Sequence, residues 1–221
     1  MATPLSDSTS VASVPAVSSR DRILLSAKHL FARNGYENTS TVAIAREAGT
    51  SESQLMKHFG SKQGLLAAIF DHGWASIIER VQSSNRAASP SDRLLAMLGA
   101  MIAEVDGDLE LKELVALEAR RVRKDNRDVL MSRGYHQFAE LLYTVLGEMR
   151  NQGQLRGDLN LDAVRSAIMG MTEALLRDQV VAKRSECRAD YNSSDLRKVL
   201  EVLIPALAEE TSQPLKAVNE R

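Results

Sequence analysis

The sequence predicts an all-α protein of about nine helices, with a compact three-helix head near the N-terminal end and a larger helical body behind it. Three observations carry this. Only Pro90 interrupts the long stretch between Pro15 and Pro205, and helix interiors exclude proline more strongly than any other residue. Aromatic residues make up 4% of the chain, and its Asn-Gly and Asp-Gly pairs do not cluster as they do in hairpin proteins. Apolar residues recur instead at helical spacing, segment after segment.

The first helix opens near Arg20, with Ser19 as its candidate cap. Ile23, Ala27, Leu30 and Phe31 share one face, and Gly35 stops it. The second runs from Thr41 to Ala48 behind Ser40 or Thr39, buries Ile44, Ala45 and Ala48, and ends at Gly49, which supplies a left-handed turn. A third, brief helix follows Ser51, which with Gln54 spells a capping box. Leu55 and Phe59 give it one apolar side before Gly60. Ser61 then caps a longer helix in which Leu65, Leu66, Ile69, Phe70, Ile77 and Val81 keep the period as far as Ser89-Pro90.

The body reads as Ser91 to Val105, about Leu109 to Arg120, about Arg127 to Gln152, Leu161 to about Lys183, and Asp195 to about Glu210. Gly107, the Arg123 to Asn126 cluster, Gly153 with Gly157, and the Arg184 to Ser194 segment supply the turns, with Asn160 and Ser194 as caps. The expected organisation is a flexible arm over 1–19, a head over 20–66, a body over 67–212 and a flexible tail over 213–221.

Composition narrows the function classes. With 221 residues, 44% of them hydrophobic, the chain can bury a sizeable core, and no run of eighteen apolar residues suggests a membrane span. The net charge of −1 excludes a polybasic nucleic-acid coat, so any nucleic-acid contact is local. Cys187 is the only cysteine, so an intrachain disulfide and a cysteine zinc site are both excluded, which suits a cytoplasmic protein. Residues 1–19 lack the cationic start and continuous apolar run of a secretory signal. There is no phosphate loop, nucleophile elbow, HExxH or paired carboxylates in a Gly-rich loop, and His29, His58, His72 and His136 are scattered without ligand spacing. We therefore expect no catalytic residue, no metal and no cofactor.

The head carries a resemblance. Arg22-Ile23-Leu24, Ala27, Leu30-Phe31, Gly35-Tyr36, Thr39-Ser40, Ile44-Ala45, Ala48-Gly49, Ser51, Leu55, His58-Phe59, Ser61-Lys62 and Leu65-Leu66 occur in the order and spacing of the DNA-binding domain of the TetR/AcrR family of bacterial transcriptional regulators, which this head resembles. Three residues depart from it: Thr50 where an aliphatic residue is usual, Gln54 where Thr or Ser is common, and Met56 where Tyr is most frequent. From residue 90 onward the resemblance is architectural. It implies a helix-turn-helix head with its motif at about 41–60, and a body that dimerises and binds a ligand. The partners it implies are a double-stranded, near-palindromic operator, a second copy of the chain and a small-molecule effector, with repression as the default. The alternatives are an activator on the same fold and a helical ligand-binding protein without DNA binding.

In such a head the third helix enters the major groove and the preceding helix lies over phosphates. With Leu55 and Phe59 inward, Ser53, Gln54 and Lys57 fall outward and Met56 on the shoulder, which makes these four the base-reading candidates. Gln54 either bonds adenine through its amide or only completes the capping box. Lys57 meets guanine or a phosphate, or is solvated, and Met56 presses on a thymine methyl or joins the core. The phosphate candidates are Thr39, Ser40, Thr41, Ser51, His58 and Lys62; for His58 the edge of the head is an equal alternative. Glu52, acidic at the start of the recognition helix, stabilises that helix and repels phosphate, a device for rejecting wrong sites. Residues 20–80 hold eight Lys or Arg against six Asp or Glu, so non-specific affinity is expected to be modest and salt-dependent.

In the body, Ala163, Ala167, Gly170 and Ala174 form a small-residue stripe beside Val164, Ile168, Met171 and Leu175. With Leu196, Val199, Leu200 and Leu203 of the last helix they outline a four-helix dimer seam, the alternative being an internal core face. For the ligand cavity that the resemblance implies, the candidate lining is Trp74, Ile78, Leu98, Met101, Leu114, Tyr135, Phe138, Leu142 and Thr172. No charged cluster names a ligand, so a largely apolar effector is expected.

Overall fold

The computed structural model describes residues 18–83, 89–118, 132–183, 185 and 190–207. Nearly all of the N-terminal arm, the Arg123 to Asn126 cluster, Cys187 and the 213–221 tail lie outside the described residues. Within them the chain forms nine α-helices and no strand: α1 (Ser19–Asn34), α2 (Thr41–Glu47), α3 (Glu52–Phe59), α4 (Lys62–Ser83), α5 (Pro90–Gly107), α6 (Leu109–Glu118), α7 (Arg133–Asn151), α8 (Leu161–Ala182) and α9 (Ser193–Ala206). The all-α expectation holds.

Short polar side chains set the helix starts by accepting from otherwise unpaired N–H groups. Ser40 accepts from Ala43 N at 3.1 Å and Asn160 from Ala163 N at 3.0 Å. Two caps differ from expectation. Ser18 rather than Ser19 caps α1, through Asp21 N at 3.1 Å. Asn192 rather than Ser194 caps α9, with the Asp195 carboxylate accepting from Asn192 N at 3.1 Å to complete a capping box. Asp195 thus answers a backbone donor that Ser194 leaves open.

Two hydrophobic cores form. The head core gathers Ile23, Leu24, Ala27 and Phe31 of α1, Ile44 and Ala45 of α2, Leu55 of α3 and Leu65, Leu66, Ile69 and Phe70 of α4, together with Leu111 and Leu114 of α6. The body core gathers Ile77 of α4, Leu94, Leu98 and Ile102 of α5, Phe138, Leu142 and Leu146 of α7, Ile168 and Leu176 of α8 and Leu196, Leu200 and Ile204 of α9. Trp74 packs against both. A 22-residue helix is about 33 Å long, so α4 reaches from one core into the other.

Close approaches lock this joint. A Cβ on Gly134 of α7 would stand 2.2 Å from Trp74 Cβ, and one on Gly73 of α4 would stand 2.8 Å from Leu111 Cδ2 of α6. Asp71 of α4 accepts from Gly134 N at 2.8 Å.

Charges join α6 to its neighbours. Lys28 of α1 meets Asp108 at 2.6 Å, and His29 Nδ1 lies 2.7 Å from Glu110. On its other side the buried Lys112 donates to Asp106 and to Gln179 of α8, each at 2.6 Å, and Ser193 of α9 also donates to Asp106. Burial pushes the Asp106 carboxyl up, but the bonds from Lys112 and Ser193, with the charges of Lys112 and Arg197, outweigh it and hold it below the ordinary carboxylate range.

Two outcomes follow from this packing. Gly134→Ala should lower the unfolding free energy by about 1–3 kcal/mol, whereas Gly147→Ala in the same helix, where an added Cβ meets nothing within 4 Å among the described residues, should raise it by up to about 1 kcal/mol; urea midpoints report both. Because the folded pKa of Asp106 is depressed, its contribution is present above about pH 4 and lost as the pH falls through the lowered value. Asp106→Asn should therefore destabilise the protein at neutral pH and make acid unfolding less steep, read by ellipticity against pH.

Candidate nucleic-acid interface

The head builds a helix-turn-helix from its own packing. Gly49, at φ +60°, turns the chain out of α2, and Thr50 N donates back to Ala45 O at 2.9 Å. A side chain there would be strained, so glycine suits this turn. Arg22 of α1 donates through Nε to Ala48 O at 3.1 Å, which ties α1 to the end of α2. Leu55 is fully buried and anchors α3 in the head core.

With Leu55 inward, Ser53, Gln54, Met56 and Lys57 are all exposed. Met56 is 42% exposed, so it is not a core residue. Ser51 Oγ accepts from Gln54 N at 3.2 Å, while Asn192 is the helix cap for which the reciprocal box forms. The Gln54 amide thus lies on the surface. All four base-reading candidates share one outward surface of α3.

The phosphate candidates divide. Ser40 and Ser51 are exposed caps that accept through a lone pair, which leaves each O–H as a donor to an anion. Thr39 is a correction: it is 3% exposed, and its hydroxyl bonds Leu30 O at 3.1 Å and Gly35 O at 2.9 Å, so it pins the end of α1 and offers nothing to a phosphate. Thr41 donates its hydroxyl to Glu52 of α3. Lys62 holds its ammonium 4.2 Å from the Tyr36 ring centroid and 3.4 Å from Glu37 O, at the head surface where α4 begins. His58 is exposed but turned toward a cleft of about 550 Å³ between head and body, walled by Arg20, Phe59, His72 and Arg133 among others.

In the body, an apolar cavity of about 40 Å³ lies between α4, α5, α6 and α8. Of the expected lining only Trp74 and Met101 are in its wall. Leu98, Phe138 and Leu142 are packed solid in the body core, and Leu114 belongs to the head core. Thr172 is buried with its hydroxyl on Ile168 O at 2.8 Å, Tyr135 stands edge-on to Trp74, and Ile78 is half-buried on α4 outside the cavity wall. Gly73, Val105, Leu111, Met169, Glu173 and Leu176 line the cavity and were not foreseen. A glycine inside an apolar helical run is a readable sign of close approach, and Gly73 is that case.

On α8 and α9 the seam residues also divide. Ala163, Ala167 and Gly170 are exposed, and Met171 and Ala174 are half-buried. Val199 and Leu203 are exposed beside Val202, which is 70% exposed. Leu196 is a correction: at 1% exposure it joins Leu200 and Ile204 in the body core, because it falls on the face of α9 turned to α5.

The comparison with known proteins agrees with this geometry. Residues 23–69 match the family described as "Bacterial regulatory proteins, tetR family". The chain is 22% identical to the fatty acid metabolism regulator protein of Bacillus subtilis over 189 residues, covering 84% of this chain and 94% of that one. It resembles the fatty acid degradation regulator FadR of Bacillus halodurans with a TM-score of 0.71 at 19% identity, over 87% of this chain and 97% of that one. FadR of Bacillus subtilis, in complex with stearoyl-CoA, gives a TM-score of 0.71 at 20% identity over 84% and 97%.

At the exposed face of α3, Gln54→Ala should cost roughly 1–3 kcal/mol on one base pair of a bound site and little on unrelated duplex, whereas a uniform loss would assign it no base. Lys57→Ala with Lys62→Ala should lower the slope of log affinity against log salt by about 1 for each phosphate that the variant no longer neutralises. Fluorescence anisotropy at several salt concentrations measures both. Residues 23–69 carry the match to the tetR family of bacterial regulatory proteins, and the helix-turn-helix head they form is that of a DNA-binding transcriptional regulator.

Proposed function

We propose that this regulator is a ligand-responsive repressor that binds a near-palindromic operator as a homodimer and is released by a small, largely apolar effector. It acts in the cytoplasm, by binding rather than by catalysis. The observation that carries the dimer is the exposed stripe Ala163, Ala167 and Gly170 beside Met171, Val199 and Leu203. An added Cβ at Gly170 meets nothing within 4 Å among the described residues, so none of them calls for a glycine at this point of the stripe. Small residues let helix axes approach closely, and a symmetric pairing there presents two heads to two half-sites.

The effector reading rests on the cavity beside Trp74. Its volume of about 40 Å³ has room for only a few waters, each of which needs about 10–15 Å³ on this measure. A ligand therefore enters by parting α4 from α6, which touch closely at Gly73 and Leu111. Both helices also contribute side chains to the head core, so parting them shifts the head. A tenfold loss of operator affinity needs about 1.4 kcal/mol of difference between the two states. Coenzyme A thioesters are the first compounds to test. The similar FadR holds stearoyl-CoA, and AibR, which resembles this chain with a TM-score of 0.58 at 20% identity over 86% of this chain and 98% of that one, holds isovaleryl coenzyme A and operator DNA.

Gly170→Leu should overpack the seam and sediment as a monomer with collapsed operator affinity. A dimeric mutant would remove the stripe from the interface. Emission from Trp74, the one tryptophan, should change on titration with acyl thioesters of graded chain length, in step with operator release. A compound that binds tightly near Trp74 and leaves operator affinity unchanged would refute release through this cavity.

A further inference from the structure

Glu52 opens α3 and Thr41 opens α2, and the Thr41 hydroxyl donates to Glu52 Oε1 across the two helix starts. The carboxylate is exposed, and it stands one residue before Ser53 on the helix whose outward surface also carries Gln54 and Lys57. Phosphate attraction alone would exclude a negative charge from this place. A carboxylate only accepts hydrogen bonds, and Thr41 occupies one of its two oxygens, which leaves Oε2 as an acceptor. In the major groove the base-edge donors are the N4 amine of cytosine and the N6 amine of adenine, whereas guanine and thymine edges oppose an acceptor with acceptors.

We propose that Glu52 is a specificity-determining residue of this reader and that Thr41 is its positioning residue, so that each half-site presents a cytosine or an adenine to the Glu52 carboxylate. Thr41 is then not a phosphate anchor. Its hydroxyl fixes the glutamate side chain before DNA arrives, which removes a rotamer cost from the encounter. The same charge lowers affinity for duplexes that turn a guanine or thymine edge toward it at that position, so Glu52 acts against wrong sites as well as for the right one. The inference rests on the reading that α3 enters the major groove of an operator.

Selection of bound sequences from randomised duplexes tests it, with the full-length wild type and the variants Glu52→Gln, Glu52→Ala, Thr41→Val and Thr41→Ser. Thermal melting of each variant checks that it is folded. The wild type should enrich a motif with one position per half-site restricted to cytosine or adenine. Glu52→Ala should flatten that position at least tenfold, Glu52→Gln, whose amide pairs with adenine, should shift it from cytosine toward adenine, and both should leave the other positions unchanged and raise affinity for unrelated duplex. Thr41→Val should flatten the same position in part, and Thr41→Ser should restore it. A wild-type motif that both Glu52 variants reproduce at every position, or a uniform loss at all positions with lowered melting, overturns the assignment while leaving the operator reading intact. A wild type that enriches no motif overturns the operator reading and this inference with it.

Discussion

The structure depends on one arrangement of apolar burial: α4 belongs to two hydrophobic cores at once, with Trp74 at their junction. Leu65, Leu66, Ile69 and Phe70 close the head, and eight residues after Ile69 the same helix gives Ile77 to the body. Because interiors are close-packed and transmit strain instead of absorbing it, α4 has little freedom to move at one end without moving at the other. The Gly134 approach to Trp74 and the Asp71 bond to Gly134 N tighten the joint from the α7 side.

Helix α6 is the second link. One face puts Leu111 and Leu114 into the head core, its start pairs with Lys28 and His29 of α1, and Lys112 reaches α8 through Gln179. The buried ammonium is tolerated because Asp106 and Gln179 both meet it at 2.6 Å and the carboxylate is further supported by Ser193. The sheltered polar junction thus gathers α5, α6, α8 and α9.

Much of this is legible in the sequence, and the failures have physical reasons. Periodicity and punctuation find all nine helices, because Gly49, Gly60, Pro90 and the polar caps act locally. The outward set on α3 follows from Leu55 and Phe59 alone. Thr39 is misjudged from sequence because a hydroxyl before a helix start suits an anion or a nearby carbonyl equally, and only the returning end of α1 decides between them. On α9 both faces are apolar, so spacing does not say that Leu196 faces α5 while Val199 faces out. The cavity is least legible, since its wall is defined by where four helices cross. Trp74 and Met101 are found, whereas Val105 and Met169 look like any core residue.

The entry of Leu111 and Leu114 into the head core bears on modularity. Regulators of this architecture invite exchange of heads between bodies, as if the boundary between them were a linker. Here it is not, because a head cut away at the end of α4 would lose two leucines from its interior, and a foreign body would have to fill the same space. A chimaera that keeps α6 with its own head retains the complementary surfaces. One joined after α4 begins with a void beneath the DNA reader.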